Sequence, residues 1–94
     1  MNAKKRLEFT KRFFKKLALI EEYIALDNPA AAKKVAQHIY DVAESLEAFP
    51  MLGKLSDGVA GRELVLDKYP YTIMYRLTAS KIIVLSVAHQ SQIL

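Results

Sequence analysis

The stretch "DNPAAAKKV", residues 27–35, closes one helix and opens another within about two residues. Asn28 suits the N-cap, because its side-chain oxygen can accept an orphan N–H of the first turn. Pro29 suits the first helical position, where its missing N–H costs nothing. Upstream, Phe13, Leu17, Ile20 and Ile24 recur at helical spacing and predict a helix running to about Leu26. Thr10 is its expected N-cap, with Phe9 and Phe14 placed as a hydrophobic staple. Downstream, Ala32, Val35, Ile39, Val42 and Leu46 form a second stripe, and Phe49 and Pro50 end it. Two helices of about four to five turns with so short a joint must fold back as an antiparallel hairpin.

Outside the hairpin the period changes to two. Leu7 and Phe9 alternate with Arg6 and Glu8, a short N-terminal strand. The segment "PMLGKLSDGVAG", with Pro50, Gly53, Gly58 and Gly61, reads as a loop. Three strands are expected after it: Arg62 to Leu66, Tyr71 to Thr78, and Lys81 to His89. The last, "KIIVLSVAH", is apolar on both faces and belongs inside the sheet. In the middle strand Arg76 should emerge opposite Ile73 and Leu77. Short turns make these three strands an antiparallel meander, and the tail "QSQIL" is too short to be read as a further element. The fold class is α+β in the order β-α-α-β-β-β: an N-terminal strand and a helical hairpin packed on a small, mainly antiparallel sheet. Residues 1–94 are expected to make a single domain. The uncovered sheet face is the expected functional surface, with Tyr71 and Met74 available on it.

Composition narrows the function classes. The chain has 94 residues, 52% hydrophobic and 26% charged, and no cysteine, which excludes disulfides and thiol chemistry. It has no run of 18 apolar residues to span a membrane. The start "MNAKKRLEF" lacks an apolar signal region, so a cytoplasmic protein is expected. The net charge of +4 is uneven. Residues 1–16 hold seven Lys or Arg against Glu8, whereas residues 17–94 hold seven bases and nine acids. Lys11, Arg12, Lys15 and Lys16 fall mainly off the apolar stripe, so they form a basic helix surface that suits nucleic acid or an acidic protein.

No phosphate loop, zinc pattern or catalytic cysteine is visible, and neither a cofactor nor a metal is called for. His38 reads as a surface helix residue. His89, at the end of the last strand, could serve as an acid or base near pH 7, yet no carboxylate stands at a suggestive spacing. Arg62 and Glu63 point to opposite sides of their strand. Arg62 could bind an oxyanion through its planar fork, and Arg76 could be solvated or paired across the hairpin. Tyr69, Tyr71 and Tyr75 interleave with these arginines, a pairing frequent at protein interfaces.

The ordered set "YIALDNPAAAKKV", "LEAFPMLGKL" and "GRELVLDKYPYTIMYRLTASKIIVLSVAH" resembles the ParE branch of the RelE/ParE superfamily of bacterial toxins, over about Phe13 to His89. The resemblance implies a helical hairpin on a small antiparallel sheet, in agreement with the periodicity. It implies a cytoplasmic toxin neutralised by a cognate antitoxin, which allows for higher-order toxin–antitoxin assembly. ParE-type members inhibit DNA gyrase by binding and are not usually enzymes. RelE-type relatives cleave mRNA on the ribosome with a cluster of basic residues and a tyrosine or histidine.

Arg62 and Arg76 match family arginines, and His89 matches the histidine ending the last core strand. After His89 this chain reads "QSQIL", where both branches commonly carry arginine. That departure removes a candidate phosphate clamp and weakens the nuclease reading most. The expectation is therefore a gyrase inhibitor. Ribosome-dependent mRNA cleavage, or antitoxin binding with weak or lost toxicity, is the alternative. Arg62, Arg76, Tyr71, Lys11, Arg12, Lys15 and Lys16 are expected to contact target or antitoxin, with His89 a further functional candidate and no residue assigned to catalysis.

Overall fold

A computed structural model describes residues 4–56 and 61–92. Positions 57–60 of the expected loop and 93–94 of the tail lie outside the described residues. The elements run β1 (Arg6–Phe9), α1 (Lys11–Ala25), α2 (Pro29–Glu44), β2 (Lys54–Leu55), β3 (Arg62–Val65), β4 (Tyr71–Leu77) and β5 (Lys81–His89). The sheet order is β1-β5-β4-β3-β2, with β1 parallel to β5 and the other three pairings antiparallel. The α+β reading holds, with the helical hairpin on one face of a mainly antiparallel sheet.

Both helix starts follow the capping logic. The Asn28 side chain accepts from the Ala31 N–H at 3.1 Å, with Pro29 at the first helical position. The Thr10 hydroxyl accepts from the Phe13 N–H at 3.1 Å. The staple forms as well, with the Phe9 and Phe14 rings 5.4 Å apart, and Tyr40 of α2 stacks on Phe9 at 5.2 Å. Phe13, Val35, Ile39, Ala43 and Leu46 meet Ile73, Tyr75, Ile82, Val84 and Val87 in one core. Burying a side chain such as Ile39 completely contributes about 1.5–3 kcal/mol. The buried stripe runs Ala32, Val35, Ile39, Ala43 and on to Leu46 in a 3₁₀ turn at Ser45–Glu47, at helical spacing throughout, with Val42 half-buried at its edge.

Three features depart from the sequence reading. Part of the expected loop is a fifth strand, since Lys54 and Leu55 pair with Glu63 and Arg62 of β3. The residues after His89 form a 3₁₀ turn, Gln90–Gln92. The third departure is a bulge in β5. Met74 pairs with Ser86 and Tyr75 with Val84, leaving Leu85 as the extra residue. The bulge reverses the side-chain alternation along β5: Ile82 and Val84 face the helices before it, Val87 and His89 after it.

Thr10 holds this bulge from the other end of the chain. Its hydroxyl donates to the Leu85 carbonyl at 2.7 Å while capping α1, and its N–H donates to the Val84 carbonyl at 3.1 Å. Thr10→Val, which keeps the shape without the hydroxyl, is expected to cost about 1–2 kcal/mol, read as a lower urea midpoint at unchanged slope. Thr10→Ser should stay close to wild type.

Candidate functional site

The open end of the hairpin–sheet interface forms a cleft of about 500 Å³. Lys16, Leu19, Ile20 and Tyr23 of α1 form one wall, at positions that share a helix face. Tyr71 of β4 and His89 of β5 form the other, with Val87 contributing apolar surface. Tyr71 and His89 are cross-strand partners with their rings edge to face at 5.3 Å. Tyr71 therefore lies on the helix-covered side, which corrects its expected place on the uncovered face. Strand alternation puts Tyr71 in the same row as Ile73 and Tyr75, and it is 7% exposed. Met74 does lie on the uncovered face, half-buried.

Burial pushes the Tyr71 hydroxyl above the ordinary tyrosine range, and nearby Tyr23 adds to the rise. Tyr71 thus keeps its proton at neutral pH and can donate a hydrogen bond, but it is a poor base. The Ser91 N–H donates to Nδ1 of His89 at 3.1 Å, and the Ser91 hydroxyl lies 2.8 Å from the same nitrogen. That contact makes Nδ1 an acceptor and ties the C-terminal turn to the ring. No carboxylate is among the described residues that line the cleft. The ammonium of Lys16 at the mouth, over an apolar floor, suits a partner side chain with a carboxylate nearby.

The remaining sequence candidates lie elsewhere. Arg12 sits one turn before Lys16, and Lys11 and Lys15 occupy the adjacent stripe, all three exposed. Together they extend the positive surface of the cleft along α1. Arg62 faces the side of Tyr75, about 13 Å along the sheet from Tyr71, and is half-buried. Its guanidinium donates to the Gly53 carbonyl at 2.7 Å, which fastens the loop before β2. Arg76 is exposed on the uncovered face, opposite Ile83. The one ion pair among the described residues joins Lys81 to Glu8, so Arg76 has no such partner there. His38 is half-buried with its ring 5.2 Å from that of Tyr69, rather than simply solvated.

Sequence reasoning missed Leu19, Tyr23 and Ser91. The first two sit at helical spacing from Lys16 and could have been grouped with it. Nothing local marks Ser91. Among the described residues no group of three His, Cys, Asp or Glu side chains converges to hold a metal, and no helix is long and apolar enough to cross a membrane.

Comparison with known proteins gives a consistent result. Residues 7–94 match the family model described as the ParE toxin of the parDE type II toxin-antitoxin system. The protein named "Putative toxin Y4kP" from Sinorhizobium fredii is 34% identical over 96% of this chain and 93% of its own length. "Toxin RelE2" from Caulobacter vibrioides is 29% identical, over 90% of this chain and 94% of its own. A solved structure described as "Chromosomal ParDE TA system from P. aeruginosa" superposes with a TM-score of 0.81 at 25% identity, covering 92% of this chain and 96% of that one.

Proposed function

The chain belongs to the ParE toxin family of type II toxin-antitoxin systems, and from that premise we propose that it acts by binding, as a DNA gyrase inhibitor held in check by a cognate antitoxin. The observation that carries this reading is the chemistry of the cleft. Cutting RNA through the ribose 2′-hydroxyl requires a base, an acid and positive charge on the phosphate. Tyr71 holds its proton, Nδ1 of His89 is engaged by Ser91, and Arg62 and Arg76 are directed to other surfaces. The same cleft suits a partner, since an apolar floor lies beside a continuous basic helix face.

In this reading the antitoxin lays an acidic segment along Lys11, Arg12, Lys15 and Lys16 and seats an apolar side chain between Tyr23 and Tyr71. Such a segment could order on contact, its carboxylates matched to the lysines. Arg76 and the uncovered face are left for the target, and Arg62 acts chiefly by holding the loop at Gly53. Residues 1–94 act as one toxin domain in the cytoplasm. The second reading, mRNA cleavage on the ribosome, draws on Lys16 and His89 sharing one cleft.

The test pairs gyrase and relaxed plasmid with ribosomes and a defined message, each with and without the product of the adjacent gene. Supercoiling should be inhibited, the message should stay intact, and the antitoxin should relieve the inhibition. Arg76→Ala should lose gyrase inhibition at unchanged helix content and antitoxin affinity. Message cleavage abolished by His89→Ala would overturn the proposal. Inactivity in both assays with tight antitoxin binding would identify a member with lost toxicity.

A further inference from the structure

A second basin lies between α2 and the β3–β4 turn, shares no lining residue with the cleft, and has a volume of about 450 Å³. Lys33 and Lys34 of α2 and Lys68 of the β3–β4 turn converge on it. His38 and Tyr69 meet at its floor with their rings edge to face at 5.2 Å, and the Lys68 ammonium stands 5.6 Å from the centre of the Tyr69 ring. The one carboxylate among the described residues that line it, Asp41, accepts from the Gln37 side-chain amide at 2.8 Å. None of the three lysines is ion-paired among the described residues.

We propose that this basin binds the phosphodiester backbone of nucleic acid. Three ammonium groups against the single carboxylate of Asp41 leave the basin net positive, which favours an anionic ligand. Lysine offers compact point charges that suit spaced phosphates, and there is no arginine fork here to grip a carboxylate. The lining decides between a nucleic acid and an acidic protein. A stable protein interface needs a free apolar or aromatic anchor at its centre. Here the Tyr69 ring is already engaged by His38 and the Lys68 ammonium, and no aliphatic residue is among the described residues that line the basin. The cleft at Tyr71, lined by Leu19, Ile20 and Val87, has such an anchor. A polyanion needs none, because counterion release supplies its affinity. The inference does not depend on the identity of the toxin's target.

An amide-resolved NMR titration of the intact protein with a short DNA duplex of arbitrary sequence locates the site directly. Shifts are expected at Lys33, Lys34, Gln37, His38, Lys68 and Tyr69, whether or not α1 also responds. Neutralising three phosphates predicts a log–log salt slope of about −2.7, so affinity should fall about 40-fold between roughly 50 and 200 mM salt. The variant Lys33→Gln/Lys34→Gln/Lys68→Gln, altered only at exposed positions, should abolish the basin shifts and flatten the salt slope by up to that amount. Shifts confined to α1, or none, would overturn the proposal. So would poly-glutamate binding the basin as tightly as DNA, which would make it an acidic-protein site.

Discussion

Tyr75→Ala is expected to remove about 3–5 kcal/mol of stability, a large part of the roughly 5–14 kcal/mol available to a chain of this length. Tyr75 is fully buried at the centre of the sheet. Its hydroxyl donates to the Pro50 carbonyl at 2.8 Å and accepts from the Gly53 N–H at 2.8 Å, which anchors the loop that leads into β2. Tyr75→Phe isolates the hydrogen bonds from the packing. It strands one donor and one acceptor against a ring edge and should cost about 1–3 kcal/mol. Gly53→Ala probes the same contact from the other side. A Cβ there would stand 2.8 Å from the Glu63 carbonyl oxygen and 2.8 Å from the Tyr75 ring and hydroxyl. The Glu63 oxygen is β3 backbone and cannot swing aside, so a loss of about 1–3 kcal/mol or more is expected. The Gly53→Ala/Tyr75→Phe pair should cost less than the sum, since removing the hydroxyl relieves one of the clashes. Urea melts at constant slope measure all four variants. A Tyr75→Phe variant as stable as wild type would refute the anchoring role.

The second large effect is expected at the cleft. Tyr71→Ala removes the wall facing Tyr23 and should weaken the antitoxin complex by about 2 kcal/mol or more, roughly 30-fold, as for a central aromatic anchor. Lys16→Glu places like charge against an acidic segment and should slow association most, with the loss shrinking as salt is raised. Lys16→Glu should leave helix content unchanged, because Lys16 is at the mouth of the cleft. Tyr71 is buried in the core, so Tyr71→Ala also lowers the urea midpoint, and its affinity is compared under conditions where the variant is folded. Calorimetry with the antitoxin at two salt concentrations separates the effects. If both variants kept wild-type affinity, the cleft would not be the antitoxin seat. Arg76→Ala serves as the reverse control, altering the target assay and sparing the antitoxin.

Much of the fold is legible in local patterns. The "DNP" junction stops one helix and caps the next through Asn28 and Pro29, and both apolar stripes follow helical spacing. The last three strands form within a residue of their expected bounds, the middle one and the outward exposure of Arg76 following from alternation and the last from its continuous apolar run. The family resemblance is equally local, carried by short runs in order. β2 escaped because Lys54 and Leu55 are held by pairing with Glu63 and Arg62 and not by any propensity of their own.

The candidate cleft was decided by tertiary structure. Uninterrupted alternation from Ile82 and Val84 would have turned Ser86 and Ala88 toward the helices and His89 away from them. The extra residue at Leu85 reverses that order and brings His89 beside Tyr71, across from Lys16 and Tyr23. The bulge carbonyl is satisfied by Thr10, 75 positions earlier in the chain. Sequence periodicity reaches only a few residues along one element, so it specifies which faces are apolar. A hydrogen bond between distant segments helps fix which register those faces adopt, and the Thr10–Leu85 bond exists only once β1 has paired with β5.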